Sequence, residues 1–97
     1  MATYIVILNF TDQGIRNLKN TSERADGFAK EVESHGAKIK DVYWTVGAHD
    51  GVLIVDAPDE VTMAALTLSL ASHGSVRTQL LRAFDRDEVG DLLSRIS

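Results

Sequence analysis

The sequence predicts an α+β domain in which one antiparallel sheet of four strands carries its helices on a single face. Three observations point there. Four short runs rich in β-branched and apolar residues are bounded by turn residues, as strands are. Two longer segments between them repeat apolar residues at helical spacing. Finally, Ser34-His35-Gly36 recurs as Ser72-His73-Gly74, each time closing a helical segment just before a strand.

Met1 to Phe10 is apolar and β-branched and reads as a buried strand, stopped by Thr11-Asp12-Gln13-Gly14. A helical turn is expected over Gly14 to Asn20. Thr21 and Ser22 then offer hydroxyl caps to a helix from about Glu23 to His35. Ala25, Phe28, Ala29 and Val32 give it one core-facing stripe, and Gly36 supplies the left-handed residue past its end. Lys38 to Val46 and Val52 to Asp56 are the second and third strands. Pro58 suits a first helical turn, and Asp59 and Glu60 complement the dipole of a second helix running to about His73. Its core stripe is expected at Val61, Ala65 and Leu68, with Met63, Ala64, Leu66 and Leu70 widening the apolar surface. Ser75 to Phe84 is the fourth strand. Asp85 and Glu88 have capping-box spacing ahead of a short helix with Val89, Leu92, Leu93 and Ile96 on one side.

The order is therefore βαββαβ plus a C-terminal helix, in one domain over residues 1–97. Two βαβ halves of similar length give a ferredoxin-like, split βαβ sheet in the order 4-1-3-2. A chain of 97 residues buries roughly 65% of its unfolded surface, so no disulfide or metal staple is required. Cysteine is absent, which excludes thiol catalysis, cysteine-based zinc sites and disulfide scaffolds. A net charge of −4 with interspersed signs gives no basic stripe for nucleic acid or an anionic membrane. No apolar run approaches the ~20 residues that span a bilayer, and the first segment reads as a strand instead of a signal peptide. The cytoplasm is the expected compartment.

The strands do not alternate as a one-sided sheet should. Tyr4, Val6, Leu8 and Phe10 share one face, yet Ile5 and Ile7 occupy the other. The third strand is apolar on both faces, through Leu53 and Val55 against Val52 and Ile54. The second is read with Val42, Trp44 and Val46 opposite Ile39 and Tyr43. Two helices cover one face, so the second needs another cover: the same sheet of a second copy, or in part the C-terminal helix. A homodimer or higher oligomer is expected.

Leu8-Asn9-Phe10-Thr11-Asp12-Gln13-Gly14-Ile15, Val42-Tyr43-Trp44-Thr45-Val46-Gly47, His49-Asp50 and Val76-Arg77-Thr78 follow one another in the order seen in the GYD-domain proteins. The chain resembles that family over nearly its whole length. The resemblance implies a ferredoxin-like fold of the dimeric α/β-barrel type, and it implies no reaction. The family's namesake tyrosine is His49 here, and Gly51 stands where an apolar residue is usual.

Strand directions gather polar residues at one rim of the sheet. Asn9, Thr11, His49, Asp50, His73 and Arg77 are expected there, while His35 falls at the opposite end. Asn9, Thr11, Trp44, His49, Asp50 and Arg77 form the candidate ligand site. Each also has a plainer reading. His49-Asp50 suits a polar hairpin tip, His73 a helix C-terminus, Arg77 an ion pair with Asp50 or Asp12, and Trp44 the core or a dimer interface. Three functions fit. One is a self-associating module for a small organic ligand, without a cofactor, with Tyr4 and Trp44 as apolar walls and Arg77, Asn9 and His49 at the polar end. Another is a cofactor-independent oxygenase or isomerase using His49 as base, Asp50 or a neighbour to orient it, and Arg77 to hold a developing enolate or carboxylate. The last is a metal or haem site on His49 and His73, with Asp50 as the third candidate ligand.

Overall fold

The computed structural model describes residues 1–96. Its elements follow the expected order: β1 (Ala2–Phe10), α1 (Asp12–Arg16), a 3-10 turn (Leu18–Asn20), α2 (Thr21–Ser34), β2 (Lys38–Trp44), β3 (Gly51–Ala57), α3 (Glu60–Ser72), β4 (Val76–Ala83) and α4 (Arg86–Ser94). The sheet order is β2-β3-β1-β4, with every neighbouring pair antiparallel. That is the expected order read from the other edge.

Register sorts the side chains into two layers. Tyr4 lies opposite Val55 and Val6 opposite Leu53, and all four are buried beneath α2 and α3. Phe28 and Val32 of α2, with Met63 and Leu66 of α3, complete this core. On the other face Ile5 lies between Ile54 and Leu81, and Ile7 lies beside Val52. None of these five is fully buried. The β2 register breaks between Ile39 and Asp41, so a bulge at Lys40 places Ile39 on the same face as Val42 and Trp44. This corrects the alternation expected for that strand: Ile39 and Val42 both pack on the core, and Tyr43 turns outward without Ile39 beside it. Val46 lies beyond the strand in solvent.

α3 is rotated from its expected setting. Met63, Leu66 and Thr67 are buried, whereas Val61 is 80% and Leu68 71% exposed and Ala65 faces solvent too. Apolar residues surround this helix, so its composition names no preferred face. Thr67 can enter the core because its hydroxyl donates to the Met63 carbonyl at 2.8 Å. The start of α3 is capped by Asp59, whose carboxylate accepts from the Thr62 backbone N–H at 2.7 Å. That bond and the Thr62 side chain hold the Asp59 pKa below its ordinary 3.8. A depressed folded pKa stabilises above the ordinary value, and the contribution fades as pH falls through the lowered one. Asp59→Ala should therefore flatten the acid limb of stability below about pH 4, read as a circular-dichroism melting series; an unchanged slope would count against the cap.

α4 opens with the expected capping box between Asp85 and Glu88. Arg82 reaches Glu88 at 3.3 Å and stacks over Phe84 at 4.3 Å, tethering that first turn. Beyond it, among the described residues, α4 packs extensively on no other element. Val89, Leu92, Leu93 and Ile96 stay exposed. The radius of gyration of 14.5 Å exceeds the about 12.5 Å of a compact chain of this length. The uncovered sheet face and the projecting helix thus occur together. No helix of the described residues is long and apolar enough to cross a membrane.

Candidate functional site

The rim of the sheet is assembled by the loop after β1. Thr11 caps α1, accepting from the Gly14 N–H at 3.2 Å, and its hydroxyl donates to the Gly74 carbonyl at 2.5 Å. The Thr11 N–H donates to the Ser75 carbonyl at 3.1 Å, which locks the loop onto the start of β4. Gly74 has φ of +86°, as a residue ending α3 in the left-handed region must. These bonds bring α3, β1 and β4 to one place, as strand direction predicts.

The hairpin between β2 and β3 stands beside them. Asn9 Nδ2 donates to the Ala48 carbonyl at 3.0 Å, which orients the amide so that its Oδ1 accepts from His49 Nδ1, also at 3.0 Å. Asp50 is bound elsewhere: its Oδ2 accepts from the Phe10 N–H at 2.8 Å. Asn9, instead of Asp50, therefore orients His49. The imidazole is exposed, and its Nε2 has no partner among the described residues. Arg77 lies opposite Asn9 in the β1–β4 register, is exposed, and makes no ion pair among the described residues with either Asp50 or Asp12.

The expected rim site is in fact two clefts on opposite sides of the sheet end. One is polar and open, lined by Asn9, Thr11, Asp12, Gln13, Gly74 and Arg77. The other lies between α2 and the helix-covered face of the sheet, with a volume of about 440 Å³. Its walls include Leu8, Phe10, Phe28, Val42, Trp44 and Leu70, with Asp50, His73 and Ser75 toward the rim. Trp44 is 50% exposed and not part of the core. Its indole N–H donates to the Thr21 hydroxyl at 3.1 Å. Thr21 is itself the first helical residue of α2, so Asn20 takes the cap position and the expected hydroxyl cap is absent. Tyr4, by contrast, is a core residue and lines neither cleft.

Three cleft residues are absent from the site candidates that the sequence offers. Arg24, Phe28 and Glu31 fall on one face of α2 at the helical i, i+4, i+7 spacing and all line the apolar cleft. Apolar spacing marks only Phe28, and marks it as core; the charged pair flanking it is the available signal. Glu31 accepts from Ser69 Oγ at 2.5 Å, tying α2 to α3. His49 and His73 are not joined by a third donor: among the described residues no three His, Asp or Glu side chains are grouped to hold a metal.

A small α+β domain with an open sheet face and two clefts at one end is the class this geometry defines. The chain belongs to the GYD-domain family, whose model matches residues 4–93. It is similar to a protein of Thermus thermophilus named glutamine synthetase and cystathionine beta-lyase binding protein. The two are 37% identical over 97 residues, covering 99% of each chain. The fold is also that of part of MtbAldR, known from its crystal structure, with a TM-score of 0.63 over 88% of this chain at 14% identity. This chain spans about half of that protein, 54% of its length, and the likeness concerns the fold alone.

Proposed function

We propose that the chain is a non-catalytic binding protein that self-associates through its open sheet face, holds a small organic ligand in the cleft beside Trp44, and attaches to a partner enzyme. The observation that carries this reading is the open face, where Ile5, Ile7, Val52, Ile54 and Leu81 form an apolar field beneath no helix of the described residues. Its occupant is a second copy, because a face of this kind is self-complementary under a two-fold axis. Four strands of this length span about 500 Å², short of the about 800 Å² per partner of a stable interface. The exposed apolar side of α4 supplies the remainder, which gives the projecting helix a place to pack.

Binding is favoured over turnover by the commitments of the polar groups. His49 is exposed and bonds Asn9, and Asp50 Oδ2 accepts from the Phe10 backbone N–H instead of from His49. Neither faces an enclosed volume with the other. The partner class to test first comes from the relative's name, glutamine synthetase and cystathionine β-lyase.

Light scattering of the purified chain is expected to give a mass of two copies or more at micromolar concentration. Ile54→Lys, on the open face, should give a folded monomer. A monomeric parent chain would overturn self-association. Purified glutamine synthetase and cystathionine β-lyase should each be assayed for binding to the oligomer; capture of neither removes that partner class.

A further inference from the structure

We infer that the cleft beside Trp44 takes a small organic cation, a primary ammonium carried on an apolar body, with Asp50 as its anchor. The inference rests on the reading above that this cleft holds a small organic ligand, and it adds the ligand's charge. At about 440 Å³ the cavity falls within the roughly 300–1,000 Å³ of small-molecule sites, which pair apolar walls with a few placed polar groups.

The charges of the lining are unequal. Asp50 and Glu31 supply two carboxylates, against the one guanidinium of Arg24. Arg24 turns its ends away: Nη1 donates to the Asn17 carbonyl at 2.8 Å and Nη2 is closed to solvent, so neither is offered to a ligand. The Glu31 carboxylate is engaged by Ser69 Oγ, at 2.5 and 3.0 Å. Asp50 is only half engaged. Its Oδ2 accepts from the Phe10 N–H at 2.8 Å, while its Oδ1 accepts from no described residue and stays open to solvent.

Ser75 is an independent sign of a polar ligand group. It is only 7% exposed and lines the cleft, yet its hydroxyl has no partner among the described residues and its oxygen is not sealed off. Asp50 and Ser75 flank the end of β1, Asp50 at the Phe10 N–H and Ser75 through its carbonyl, which accepts from the Thr11 N–H at 3.1 Å. A ligand that fills the cleft strips water from both. A desolvated carboxylate oxygen is costly unless a donor replaces that water, and an ammonium brings donors together with the opposite charge. Phe10, Phe28 and Trp44 would enclose the apolar body, and aromatic rings attract a neighbouring cation. An anion would meet two carboxylates and no accessible guanidinium terminus. A neutral apolar molecule would leave Asp50 Oδ1 unsatisfied.

Trp44 is the chain's single tryptophan and lines the cleft, so its emission reports occupancy. The probes are phenethylammonium, phenethyl alcohol and hydrocinnamate, which share an apolar body and differ in head group, with ammonium chloride as a cation lacking the body. Phenethylammonium should change Trp44 emission saturably and raise Tm, and it should bind about ten- to a hundredfold more tightly than the alcohol, the range of one charge-assisted hydrogen bond. Hydrocinnamate should bind more weakly than the alcohol, and ammonium chloride should leave the emission unchanged. Asp50→Asn keeps an acceptor for the Phe10 N–H and should erase the preference for ammonium over alcohol. Ser75→Ala should weaken phenethylammonium by about two- to tenfold, the range of one neutral hydrogen bond, without lowering the Tm of the unliganded chain. Gly27→Leu provides an independent check, since Gly27 lines the cleft with open space around an added Cβ. It should weaken ammonium and alcohol alike. Equal binding of the two, a preference for hydrocinnamate, or an ammonium preference that survives Asp50→Asn would overturn this inference and leave the cleft reading standing. Emission unmoved by every probe, or binding unaffected by Gly27→Leu, would overturn the cleft reading and the inference with it. Light scattering on the same samples tests self-association separately: a monomer that prefers the ammonium overturns self-association only.

Discussion

Replacing Gly14 by alanine should destabilise the fold by about 3 kcal/mol, the upper part of the range for overpacking a tight contact. Gly14 is buried on α1, and an added Cβ would collide with the Ser75 backbone carbonyl while pressing on Phe10 Cδ1 at 3.3 Å. A backbone oxygen cannot swing away as a flexible side chain can. Relief requires α1 to lift from the start of β4, which sacrifices the Thr11 bonds to Gly74 and Ser75. Urea denaturation checks this, as a lower midpoint at constant slope. Gly90→Ala in α4 is the control: its added Cβ meets nothing within 4 Å. Better helix propensity there should raise stability by about 0.5–1 kcal/mol. Equal effects at the two positions would show that the loop is not clamped at Ser75.

Met63→Ala should cost about 2–5 kcal/mol, as truncation of a buried side chain does, whereas Leu68→Ala should stay within about 0.5 kcal/mol. Met63 is fully buried, at 0% exposure, against α2 and the sheet, while Leu68 is 71% exposed. The comparison reverses the setting that apolar spacing alone assigns to α3. It is measured by denaturant melts of both variants at one chain concentration, because self-association adds to apparent stability. A larger loss at Leu68 would mean that the outer face of α3 is buried in the assembled protein.

The two predictions differ in how readily the sequence discloses them. Gly14 stands in the sequence only as part of a turn signal, and its need for glycine arises from Ser75, far along the chain. The α3 stripe departs from expectation for a related reason: Val61, Ala65 and Leu68 have the right spacing, but so do Met63, Leu66 and Leu70. Where a helix is apolar on all sides, only the elements packed beside it select a face. β2 departs from simple alternation because one bulged residue inverts every side chain on one side of it.

The candidate site shows the same division. Direction of the strands and the ends of the helices bring Asn9, Thr11, His49, Asp50, His73 and Arg77 to one rim, since topology alone sets which termini meet. Which group each side chain bonds cannot be read from the order of residues. Asp50 turns to the Phe10 N–H, Asn9 takes His49, and Trp44 takes the hydroxyl of Thr21. Arg24 carries no motif at all, and only the packing of α2 places it beside the apolar cleft.

By itself the sequence determined the order and type of the elements, the strand order, the capping box at Asp85 and the two-faced character of the sheet. These follow from local periodicity and from the few topologies open to two βαβ halves. Only the tertiary structure decided the rotation of α3, the β2 bulge, the separation of the rim into a polar and an apolar cleft, and the place of Arg24 in the latter. Those depend on contacts between residues distant in the chain, where packing and hydrogen-bond satisfaction choose among arrangements that local pattern leaves equal.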